Sequence, residues 1–165
     1  MSETVDRLID CLNGKRDLLQ RLVLLLDEER DLIVDLDASG VEAKSESKLR
    51  LIDLLERSKR SCTAALAEAA RELLLPEAST LSAVIAAVAQ PRKALLEKAQ
   101  QVIFELVEAL KRINRFNRDL LYGSLGTINR SLEHYRGSFG MVSTYSGEGR
   151  MLSGVAAGRL VRGEI

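Results

Sequence analysis

The sequence predicts an all-α protein: an elongated antiparallel helical bundle, coiled-coil in character, of three long helices plus a short one, with a flexible C-terminal tail. Three observations predict it. Apolar residues return at steps of three and four over most of the chain, which is the period of a helix face. Charged residues make up 29% of the 165, aromatic residues only 4%, and there are two prolines, a balance that favours long helices over a compact mixed fold. Seven of the eleven glycines fall from Gly137 onward, where the period is lost. The expected division is a helical domain over residues 1–136 and a tail over 137–165.

The first helix carries a heptad. Val5, Leu12, Leu19, Leu26 and Ile33 recur every seven residues, and Leu8, Leu22 and Leu36 follow three places behind, with Lys15 and Glu29 filling the remaining positions. Cys11, Leu18, Leu25 and Leu32 widen the stripe, so this helix packs against at least two others. Ser39-Gly40 is expected to close it, because glycine accepts the left-handed conformation that ends a helix.

A second helix starts near Val41 and presents Ile52, Leu55, Cys62, Leu66, Ala69 and Leu73, broadened by Leu51 and Leu54, until Pro76 stops it. The short connection makes the two helices antiparallel neighbours. "STLSAVIAAVAQ" then reads as a short helix with Ser79 as its N-cap. Pro91 suits the first turn of the last helix, where a missing N–H costs nothing.

That last helix has the longest stripe: Leu95, Ala99, Ile103, Leu106, Leu110, Asn114, Asn117, Leu121, Leu125, Ile128, Leu132, Tyr135 and Phe139. If continuous it runs about 70 Å, against about 50 Å for its neighbours at 1.5 Å per residue. Its C-terminal half is therefore expected to be exposed or covered by another molecule. Gly123 and Gly126 weaken that half by up to roughly 1 kcal/mol each relative to alanine. Asn114 and Asn117 interrupt an apolar seam, which costs stability but fixes register and partner. Either they fix the register of this chain's own bundle or homodimer, or they hydrogen-bond a partner helix. The overhang, the glycines and the adjoining tail favour the second. In that tail Met141, Tyr145, Met151, Leu152, Val155, Leu160 and Val161 are scattered anchors suited to folding on binding.

Several function classes are excluded. Lys+Arg and Asp+Glu both number 24, so no basic excess suggests nucleic-acid binding. The longest apolar runs, "LVLLL" and "AVIAAVA", are far short of the roughly 20 residues that span a bilayer. The N-terminus has no signal-peptide pattern, so a cytoplasmic protein without membrane insertion is expected. Cys11 and Cys62 read as reduced, partly buried residues. The only histidine, His134, stands beside Glu133 and not at metal-site spacing, so no catalytic set, metal site or cofactor is expected. An enzyme is not the reading.

Three stretches resemble the FlgN family, the flagellar export chaperones of the hook–filament junction proteins. They are "LLLDEERDLIVDLD" at 24–37, "INRFNRDLL" at 113–121 with its Asn-x-x-Asn, and "TYSGEGR" at 144–150 with its Tyr-x-x-x-Gly turn. Arg118 stands where the family often has glycine. The resemblance implies a cytoplasmic helical chaperone. It would bind the terminal helices of hook-associated proteins, prevent their premature aggregation and deliver them to the flagellar type III export apparatus. It also implies Tyr145 as a docking contact for that machinery. The residue reading places the client on Asn114, Asn117, Leu121, Leu125, Ile128 and Leu132. A structural or regulatory coiled-coil protein, self-associating through its long helix as a homo-oligomer, is the alternative.

Overall fold

The computed structural model describes residues 3–76, 78–139, 144–145 and 151–152, with side chains up to residue 136. The helices are α1 (Glu3–Val34), α2 (Ala38–Glu72), α3 (Leu81–Ala87) and α4 (Arg92–Phe139). Two-residue strands β1 (Thr144–Tyr145) and β2 (Met151–Leu152) pair antiparallel, Thr144 opposite Leu152 and Tyr145 opposite Met151. The all-α class stands, with three long helices and a short one. The chain divides into two compact units, Met1–Leu121 and Tyr122–Ile165, so the boundary falls inside α4. Of the expected tail anchors, Met141, Val155, Leu160 and Val161 lie outside the described residues.

Within the first unit, polar pairs give the helix directions. Thr4 bonds to Glu72 and Arg7 to Glu68 at one end of α1, while Glu28 meets Lys44 and Glu29 meets Lys48 at the other. α1 and α2 are therefore antiparallel. Asp6 holds Arg92 through two bonds, of 2.6 and 3.0 Å, and Asn117 reaches Leu26 and Glu29. α4 accordingly runs parallel to α1, in an up-down-up arrangement. The bond to Asp6 raises the Arg92 pKa, keeping the guanidinium charged at the start of α4. The main core gathers at this end: Val5, Leu8, Ile9 and Leu12 of α1 meet Ala65, Ala69 and Ala70 of α2, Val84 and Ile85 of α3, and Leu96 and Ala99 of α4. Burial of each large side chain there stabilises the fold by roughly 1.5–3 kcal/mol.

The heptad row Val5, Leu12, Leu19, Leu26 and Ile33 is buried throughout, as the spacing requires. Leu36 leaves the stripe. It takes the left-handed conformation (φ 56°), its N–H bonds the Ile33 carbonyl, and the Asp37 N–H bonds that of Leu32. This double bond pattern closes α1 four residues before the expected glycine. Gly40 has a different task, inside the first turn of α2. Asp37 caps that turn by accepting from the Gly40 N–H at 2.9 Å. A Cβ on Gly40 would stand 2.6 Å from Asp37 Oδ2 and 2.7 Å from Leu32 Cδ2. The end of α2 repeats the motif before Pro76 is reached, with Leu74 left-handed and the N–H groups of Leu74 and Leu75 on the carbonyls of Arg71 and Ala70.

The other corrections are shifts of one residue. On α2 it is Leu51 that is buried and Ile52 that is exposed. The ion pairs of Lys44 and Lys48 with α1 set the helix rotation, and Leu51 follows them at heptad spacing. Thr80, not Ser79, caps α3 by accepting from the Ala83 N–H, while the Ser79 hydroxyl donates to the Pro76 carbonyl at 2.6 Å. α4 begins one residue after Pro91. Its core position is Leu96, with Leu95 exposed.

Candidate functional site

The two asparagines of α4 separate in the structure. Steps of three and four from Leu96 through Ala99, Ile103, Leu106 and Leu110 lead to Ile113 and Asn117, leaving Asn114 one place off the seam. Asn114 is exposed, whereas Asn117 is only 3% exposed. The Asn117 Nδ2 donates to the Leu26 carbonyl at 2.7 Å and to Glu29 Oε2 at 3.0 Å. The other oxygen of Glu29, itself only 4% exposed, accepts from Lys48. One buried carboxylate thus joins α1 to α2 and α4. Both groups facing Nδ2 are acceptors, so the amide orientation is fixed by chemistry: a flipped amide would set oxygen against oxygen. The remaining Asn117 Oδ1 is buried without a hydrogen-bond partner. Beside this clamp is a pocket of 190 Å³ lined by Glu29, Ile33, Ser45, Lys48, Arg118 and Leu121, among others.

The clamp answers the question posed by an amide on an apolar seam. In the free chain Asn117 bonds within the bundle, to Leu26 and Glu29 of α1. A lone glutamate in the α1 stripe was the readable signal for the other half of the clamp, because a buried carboxylate requires donors from its neighbours.

Asn114 lines the 190 Å³ pocket beside the clamp and also a shallow groove of 490 Å³ with Glu108, Lys111, Arg112, Arg115 and Arg118. Lys111 pairs with Glu108 at 2.7 Å, within the same helix. The groove is predominantly cationic and attracts carboxylates. A neutral total charge concealed it, although "KRINRFNR" holds its basic residues at helical spacing.

Leu121 closes the first unit partly exposed. In the second unit Tyr122, Leu125, Ile128, Leu132 and Tyr135 are between 43% and 66% exposed. Leu125, Ile128, Leu132 and Tyr135 follow at steps of three and four, so they form one apolar stripe along the helix. Gly123 and Gly126 have open space where a Cβ would go, and their carbonyls also accept from Thr127 Oγ1 at 3.1 Å and Arg130 Nε at 3.3 Å. The backbone of Tyr145 pairs with Met151, and its side chain lies outside those described.

Among the described residues no group of three His, Cys, Asp or Glu side chains gathers to hold a metal ion, and no helix is long and apolar enough to cross a membrane. The second unit offers an apolar stripe of helical period, and the first unit carries a cationic groove. The chain matches the family model described as FlgN protein over residues 1–153. No curated protein and no solved structure matches it.

Proposed function

The chain belongs to the FlgN family of flagellar export chaperones, and from that premise we propose that its clients are hook-associated proteins, held through their terminal helices on the exposed stripe of α4. The observation that carries this reading is the run Leu125, Ile128, Leu132 and Tyr135, a helix-period apolar face exposed along its whole length. Client terminal helices lack their assembled partners before export, and their bare apolar faces invite aggregation. Laying such a face on this stripe is helix-in-groove packing, specified by anchors at i, i+3 and i+7. Each half-exposed anchor gains roughly 1 kcal/mol from completed burial, before the cost of ordering the complex is subtracted. Leu121 extends the anchor set and Asn114 supplies a polar contact, while Asn117 holds the helix from within. Tyr145 is the proposed docking contact for the flagellar export apparatus in the cytoplasm.

Titration calorimetry with the terminal segment of a hook-associated protein tests the assignment. Leu125→Asp combined with Leu132→Asp buries two unpaired charges on binding and should abolish measurable affinity, with the helical circular dichroism retained. Unchanged affinity would remove the stripe from the client surface. The same exposed stripe also favours a second reading, a structural coiled-coil protein that self-associates through α4. Sedimentation equilibrium separates the two: a stable oligomer that the double variant dissolves supports self-association.

A further inference from the structure

Two thiols unused by the chaperone reading face each other across the α1–α2 interface. Cys11 lies within 3.4 Å of the Ser61 hydroxyl through its Sγ, and Cys62 is the next residue on α2. The antiparallel register fixed by Thr4 with Glu72 and Arg7 with Glu68 continues one to two turns along to bring residue 11 within one turn of residue 62. Both thiols pack on the same core cluster, are half-buried, and are free. The neighbouring Cys11 thiol is among the groups that raise the Cys62 pKa. Alanines 65, 69 and 70 are the α2 residues buried next to them, and such small side chains let two helix backbones approach closely. Close approach matters because a disulfide needs Cα atoms within about 7 Å of each other.

We propose that Cys11 and Cys62 are a modification site: a reversible intramolecular disulfide that ties α1 to α2 when the chain meets a low-molecular-weight disulfide such as oxidised glutathione. The exchange balances in two steps. The Cys11 thiolate attacks one sulfur of the oxidant, the oxidant S–S bond breaks, and one thiolate leaves and takes up a proton. Cys62 then loses its proton, its sulfur attacks Cys11 Sγ, and the second small thiol departs. Two protein thiols are oxidised to one disulfide, and one small disulfide is reduced to two thiols. Burial raises the Cys62 pKa, which slows attack by that thiol. Lys15 and the Ser58 hydroxyl act the other way, favouring the Cys62 thiolate that the second step needs. The cross-link closes the long loop between residues 11 and 62, restricting the unfolded chain. It is independent of the client surface on α4.

The test incubates the full, reduced chain with oxidised glutathione in native buffer and in urea, followed by alkylation, mass spectrometry and a non-reducing gel. The expected product is a monomer that has lost both alkylatable thiols and two hydrogens, retains no glutathione, and regains both thiols with dithiothreitol. It should form faster in native buffer than in urea and melt higher than the reduced chain. Cys11→Ser and Cys62→Ser should each stop at a glutathione adduct on the remaining thiol. Wild-type chain that accumulates glutathione adducts, links into dimers, stays reduced, or cross-links only in urea would overturn the proposal.

Discussion

Replacing Asn117 with alanine is the sharpest test of the clamp. The substitution removes the bond to the Glu29 carboxylate, worth roughly 2 kcal/mol because that acceptor is charged, and the bond to the Leu26 carbonyl, worth roughly 1. It also removes the unpartnered Oδ1, which returns roughly 1 kcal/mol of desolvation cost. Glu29 keeps Lys48, so its charge is not abandoned outright. The net loss is about 2 kcal/mol, which lowers Tm by about 4–8 °C for a chain of this size. Asn114→Ala is the matched control: the same chemical deletion three residues earlier, at an exposed position, should stay within about 0.5 kcal/mol. Thermal melts by circular dichroism, repeated as urea titrations, read both. Equal melts for the two variants would refute the internal role of Asn117, and a larger drop for Asn114 would reverse the assignment. If client affinity per folded molecule survives Asn117→Ala but falls with Asn114→Ala, the two amides divide between scaffold and recognition.

Leu26→Ala empties a core site of the heptad row and should cost roughly 2–5 kcal/mol by urea titration; a melt matching the parent would discard the seam. Alanine scanning of glycines should split by position. Gly40→Ala must push Asp37 and Leu32 aside and should destabilise, whereas Gly123→Ala and Gly126→Ala enter open space and should stabilise the helix by up to roughly 1 kcal/mol each. A stabilising Gly40→Ala would contradict the cap geometry.

The helices were legible because their seams repeat. Val5, Leu12, Leu19, Leu26 and Ile33 needed only the period to be placed in the core, and all five are there. Errors arose where two adjacent apolar residues compete for one seam position. Leu51 against Ile52 and Leu95 against Leu96 differ by about 100° of helix rotation, and hydropathy does not choose between them. Ion pairs to a neighbouring helix do choose, as Lys44 and Lys48 show, but sequence alone does not name their partners. Helix ends misled for a related reason. Glycine is the usual left-handed residue, yet Leu36 and Leu74 occupy that conformation because the flanking N–H groups and carbonyls are satisfied there. The stripe from Leu125 to Tyr135 was readable in full. The cationic groove was not, since it requires knowing which face of α4 turns outward.

The position of the clamp along α4 matters as much as its strength. A seam of leucine, isoleucine and alanine tolerates sliding by a heptad, about 10 Å along the helix axis, because apolar side chains replace one another without strain. Sliding α4 by seven residues would bring Leu110 or Ser124 opposite Glu29 in place of Asn117. Leucine has no donor at all, and serine is too short to span Glu29 and the Leu26 carbonyl together. The buried carboxylate would lose half of its bonds, a cost larger than any gain from a repacked seam. Only one register therefore satisfies Glu29, and that register fixes how α4 meets α1 within the first unit. An amide that costs stability by its orphaned oxygen thus sets the register of α4 against α1, which a stronger apolar contact at the same place would leave undefined.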